Sequence, residues 1–96
     1  MFFKKKDKFN ELEAFANLGF KLVTDPEDES KIVFKKLREC NNKWHFIEIN
    51  RHASKTLVFS YQPKYVSGKS VNRCVPLTID EMECCLKTIK KRGWDK

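Results

Sequence analysis

Four short stretches of this chain alternate apolar and polar residues with period two, and a segment of helical spacing stands on each side of them. That order restricts the fold more than any other feature. A period of two places alternate side chains on opposite faces of a strand, whereas a period near 3.6 lines one face of a helix. The first alternating run is Phe20-Lys21-Leu22-Val23-Thr24. The second spans Lys31 to Leu37, with Ile32 and Phe34 on one face and Lys31, Val33 and Lys35 on the other. Trp44 to Ile49 and Lys55 to Tyr61 give the third and fourth. Between them stand Asp25-Pro26-Glu27-Asp28, Cys40-Asn41-Asn42-Lys43 and Asn50-Arg51-His52-Ala53-Ser54, all with turn chemistry. Pro63 ends the fourth pairing because it has no N–H to give a ladder. For residues 64–76 two expectations stand side by side. Ser67-Gly68-Lys69-Ser70 closes a short hairpin between Tyr65-Val66 and Val71-Asn72, or it sits in a mobile loop.

Phe9, Leu12, Phe15 and Leu18, with Ala16, predict a helix over about residues 8–18, capped by Asn10 or Asp7. Gly19 follows as a residue able to take positive φ. Near the other end, Thr78-Ile79-Asp80-Glu81 fits a capping box. Asp80 and Glu81 lie at the positive end of that helix dipole, and Lys87, Lys90, Lys91 and Arg92 toward its negative end. Ile79, Met82, Leu86 and Ile89, with Cys85, are expected as its apolar stripe. Gly93 stops the helix and lets Trp94 fold back onto the core. The expected class is α+β in one domain, residues 1–96. It has an N-terminal helix, an antiparallel meander of about four strands, and a C-terminal helix packed on the sheet. Apolar residues fall on both faces of the central strands: Leu57, Phe59 and Tyr61 oppose Val58, and Trp44 and Phe46 oppose Ile47 and Ile49. Either helices cover both faces or one face is an interface.

The 96 residues carry a net charge of +7, unevenly placed. Residues 10–30 are acidic on balance, and residues 31–73 hold ten basic side chains against Glu39 and Glu48. Lys35, Lys36, Arg38, Lys43, Arg51, Lys55, Lys64, Lys69 and Arg73 lie on or beside the expected sheet, with Trp44, Tyr61 and Tyr65 among them. Cations interleaved with aromatics suit single-stranded nucleic acid, while the same lysines also protect strand edges from aggregation. An acidic stretch beside a basic one equally fits protein recognition.

Other function classes find little support. No apolar run approaches the roughly 20 residues that span a bilayer. Met1-Phe2-Phe3-Lys4-Lys5-Lys6 does not read as a secretory signal, and Phe2 excludes N-myristoylation. The three glycines are isolated, so no phosphate-cradling loop is expected. Cys40, Cys74, Cys84 and Cys85 show no C-x-x-C spacing. Cys84 and Cys85 would point about 100° apart on a helix. His45 and His52 with Cys40 and Cys74 form the remaining candidate metal or nucleophile set, as a weaker alternative. No catalytic residue, cofactor or metal is expected.

Leu18-Gly19-Phe20, then Ile32-Val33-Phe34-Lys35 and Phe46-Ile47-Glu48-Ile49, then Pro76-Leu77-Thr78-Ile79-Asp80-Glu81-Met82 running to Lys90-Lys91-Arg92-Gly93-Trp94, form a recognisable layout. It resembles small uncharacterised proteins encoded by phages and prophages of low-GC Gram-positive bacteria. The resemblance spans most of the chain and carries over no functional residue. It implies a cytoplasmic accessory protein of a bacterial host cell that binds a host or phage macromolecule. The expected function is therefore a non-catalytic binding protein with a protein partner, as monomer or homodimer, and nucleic acid is the alternative.

Overall fold

Both helices end on a glycine followed by an aromatic, and both close with the same hydrogen bonds. The computed structural model describes residues 9–95. Helix α1 (Glu11–Asn17) starts at Asn10, whose Oδ1 accepts the Glu13 N–H at 3.2 Å. Asp7, the other capping candidate, lies outside the described residues. At its end the Gly19 and Phe20 N–H groups donate to the carbonyls of Ala16 and Phe15. Gly19 sits at φ +92, where a Cβ would meet the Lys36 side chain at 2.9 Å. Helix α2 (Ile79–Lys91) carries the full capping box, with Thr78 and Glu81 bonded reciprocally at 2.9 and 3.1 Å. It closes through Gly93 N–H to the Lys90 carbonyl and Trp94 N–H to the Ile89 carbonyl. These are Schellman closures, in which the residue after the glycine turns its side chain back onto the last turn. Phe20 meets Phe15 edge to face at 6.0 Å, and Trp94 is buried in the same cluster as Ile89.

Between the helices runs an all-antiparallel meander, β1-β2-β3-β4-β5. Its strands are β1 (Lys21–Leu22), β2 (Lys31–Arg38), β3 (Lys43–His52), β4 (Lys55–Val66) and β5 (Lys69–Cys74). The class is α+β as expected, but the sheet has five strands rather than about four. The fifth comes from the segment left open between hairpin and loop. Ser67 and Gly68, at φ 52 and 78, make the two-residue turn that right-twisted strands favour.

Pro63 explains how one strand serves two ladders. A two-residue turn follows His52, so hydrogen-bonded pairs on the β3–β4 ladder recur at alternate positions from His52↔Lys55. Trp44 opposite Pro63 would be such a position, and proline has no N–H; pairing stops at Phe46↔Tyr61. On the β5 side Pro63 faces Asn72 at a position that needs no N–H, so β4 continues with β5 alone. Strand β1 is cut short differently. The Thr24 hydroxyl accepts the Val33 N–H at 3.1 Å, in place of a backbone carbonyl.

The registers put Ile32, Phe34, Ile47 and Ile49 on one face. These four join Phe15, Phe20, Cys85, Ile89 and Trp94 in the core. Phe15 stacks on Phe34 with centroids 3.9 Å apart. The expected stripe of α2 is corrected here: Ile79, Met82 and Leu86 are 71%, 44% and 61% exposed. Cys85 and Ile89 of that stripe are buried as expected, and Glu81 and Thr88 are buried beside them. Cys85 and Ile89 join the Phe and Ile layer in the buried cluster. The two buried polar groups of α2 are both satisfied, Thr88 by the Cys84 carbonyl and Glu81 by Thr78 and Lys36.

Arg92 ties three segments together. It donates Nε and Nη2 to Glu11 Oε2 at 3.2 and 2.6 Å, Nη1 to the Asp28 carbonyl and Nη2 to the Pro26 carbonyl. The start of α1, the β1–β2 loop and the end of α2 therefore meet on one guanidinium.

Candidate functional site

The face of the sheet opposite the core is the first candidate. Along β2, β3 and β4 the registers align Leu37 with Trp44, Lys35 with Phe46, Phe46 with Tyr61, and Glu48 with Phe59. Leu37, Trp44, Leu57 and Phe59 are 38–45% exposed. The apolar residues that the described helices do bury, Phe15, Cys85 and Ile89, pack on the other face. Phe46 and Tyr61 stack across the strands at 5.4 Å. Lys35 places its Nζ 4.5 Å from the centre of the Trp44 ring, and Lys21 places its own at 5.8 Å. Such placements favour a cation over the electron-rich ring face. Glu48 is bonded by the Tyr61 hydroxyl at 3.2 Å and the Asn50 amide at 3.0 Å. Burial, then the Glu48 charge and hydrogen bond, push the Tyr61 phenol above its ordinary value.

The nine basic residues singled out by sequence do not form one surface. Lys35 and Lys55 belong to the open face. Lys36 lies on the core face, 3.7 Å from Glu81 and over the Phe20 ring. Arg51, on the same face, donates to the Gly93 carbonyl. The remaining five, Arg38, Lys43, Lys64, Lys69 and Arg73, share the core-side face by register. Among the described residues their side chains make no ion pair or hydrogen bond. Sequence reasoning missed Lys21 as a partner of Trp44, because its register opposite Lys35 depends on a strand of two residues.

The Cys and His candidates are scattered. No three His, Cys, Asp or Glu side chains cluster among the described residues. His45 and His52 lie at opposite ends of β3, seven residues or about 23 Å apart along a strand. Cys40 and Cys74 are exposed, and burial pushes the Cys85 thiol up to about 12. His45 is 3% exposed, 2.7 Å from Ser60 Oγ and edge-on to Phe20.

Burial holds the His45 pKa below its ordinary value; Glu81 opposes this, and Arg38 and Lys36 add to it. The unfolded chain then takes up the proton first as pH falls. Stability is expected to be complete above pH 6.5 and to fall below it, down to the depressed native pKa. Urea melts at pH 7.5, 6.0 and 5.0 measure this, and His45→Gln is expected to flatten that part of the profile. An identical slope in the variant would place the titration elsewhere.

No helix of the described residues is long and apolar enough to cross a membrane. Comparison with protein-family models, curated proteins and solved structures finds no match for this chain.

Proposed function

We propose that the chain is a non-catalytic binding module that holds a protein partner against the open face of its sheet. The observation that carries this is the row Leu37, Trp44, Leu57 and Phe59, exposed on a face that the described helices leave uncovered. An apolar patch of this kind, rimmed by charge, is a common form of interaction surface. The rim has one sign: Lys21, Lys31, Lys35 and Lys55 share this face by register, and Glu48 is already bonded within it. Two copies meeting face to face about a two-fold axis would bring those lysines together. A partner with an apolar centre and an acidic rim suits the face better than a second copy. A phage or prophage origin, with a host or phage protein as partner in the bacterial cytoplasm, belongs to the same proposal.

Affinity capture from a bacterial lysate, with and without nuclease, tests it. The captured protein is expected to survive nuclease and to be lost with Trp44→Ser/Phe59→Ser. Buried aromatic anchors of this kind contribute about 2 kcal/mol each, or about 30-fold in affinity. Capture that vanishes with nuclease, or that ignores the double variant, would overturn the proposal. A second reading, nucleic-acid binding, is favoured by five cations on the other face that are unpaired among the described residues.

A further inference from the structure

We infer that the β4–β5 hairpin is an arm that enters the major groove of double-stranded DNA, with Arg38 and Lys43 holding the adjacent phosphates. This surface is separate from the open face and does not depend on it.

The arm is defined by where the ladders stop. Pairing with β3 ends at Tyr61, while β4 and β5 stay paired from Tyr61↔Cys74 to Val66↔Lys69. Five residues of β4, 62–66, therefore run on as half of a two-stranded ribbon, about 17 Å long at the usual rise. Every residue of β5 is exposed, and Tyr65 is the most exposed large side chain at 79%. None of these residues belongs to the core cluster.

The charge on the arm has one sign and one direction. No acid occurs from residue 49 to residue 79. The pairs Gln62↔Arg73, Lys64↔Val71 and Val66↔Lys69 alternate with Pro63↔Asn72 and Tyr65↔Ser70. Lys64, Lys69 and Arg73 thus project from one face of the ribbon. Arg38 opposite Lys43 continues that face onto the sheet. The loop that joins them is seated against the arm by the Asn41 amide, 3.1 Å from Gln62 Oε1. A chain that uses Lys36, Arg51 and Arg92 in internal contacts leaves these five without an anion among the described residues. Phosphates at the groove edge supply one for each.

Shape selects the duplex. The major groove of B-form DNA is about 12 Å wide and admits a two-stranded ribbon, with polar side chains at its edges to read bases. The A-form RNA groove is too deep and narrow for side chains to read.

Fluorescence anisotropy of the full chain tests this with a 20-base-pair DNA duplex, its separated strands, and the RNA duplex of the same sequence. Five phosphate contacts are expected to weaken DNA duplex binding about 500-fold between 50 and 200 mM salt. In Lys64→Gln/Lys69→Gln/Arg73→Gln the slope of log affinity against log salt is expected to drop from about −4.5 to about −2. Arg38→Gln/Lys43→Gln, on a separate part of the surface, is expected to reduce it by about 2. Circular dichroism confirms that each variant folds. Trp44→Ser/Phe59→Ser is expected to leave duplex binding unchanged, which separates a failure here from a failure at the open face. No DNA binding at 50 mM salt, equal affinity for the RNA duplex, or an unchanged slope in both charge variants would overturn the inference. So would tighter binding to the separated strands that Trp44→Ser/Phe59→Ser abolishes, because that assigns nucleic acid to the open face.

Discussion

Replacing Arg92 with Met is expected to remove about 3–5 kcal/mol of folding stability, the cost of leaving a buried charge without its partner. The Arg92 and Glu11 side chains are 15% and 8% exposed, so solvent screens this pair little. Glu11 Oε2 takes two of the guanidinium's hydrogen bonds, and Oε1 is buried with no hydrogen bond of its own. Without Arg92 the whole carboxylate stands unpaired, and the Pro26 and Asp28 carbonyls lose their donor as well. Guanidinium chloride unfolding measures the loss. Arg92→Lys is expected to recover only part of it, because a single ammonium cannot reach three acceptors in the fork geometry of arginine. Adding Glu11→Gln to Arg92→Met is expected to restore a share of the stability, since the two changes are coupled. A loss below 1 kcal/mol in Arg92→Met would show that the three segments are held without this contact.

The contrast between Arg92 and the residues beside it shows which features local sequence can reveal. Leu18-Gly19-Phe20 and Arg92-Gly93-Trp94 are read correctly because a Schellman closure is set by neighbours within six positions. The same holds for the Thr78–Glu81 box and the turn after Asn41. Arg92 reads as one more cation at a helix terminus, since its acceptors are 64 to 81 positions away. The rotation of α2 is hidden for a similar reason. Cys85 and Ile89 are read correctly, but the face they lie on turns toward Glu81 and Thr88, whose burial rests on partners that an apolar periodicity does not register. The basic surface is hidden by strand parity. Lys35 and Lys36 are adjacent in sequence, yet one flanks Trp44 while the other meets Glu81. The fifth strand turns on Pro63, whose exclusion from one ladder and acceptance by the other depends on both registers.

The asymmetry of the two sheet faces makes the other large prediction, in which one substitution at two strand positions has unlike costs. Phe34→Ala is expected to cost about 3–5 kcal/mol, the transfer of a ring from the core plus the cavity it leaves. Phe34 is 1% exposed, stacked on Phe15 and opposite Ile47, so nothing near it can collapse without unstacking α1 from the sheet. Phe59→Ala is expected to cost about 1 kcal/mol or less, because a side chain 44% exposed forfeits only part of its burial and leaves no closed cavity. Urea melts of the two variants give the comparison directly. A ring that stabilises the fold so little, on a face framed by lysines, is what the proposed partner surface requires. Equal losses at the two positions would mean that Phe59 is packed in the folded monomer, and the open face would then have no room for a partner.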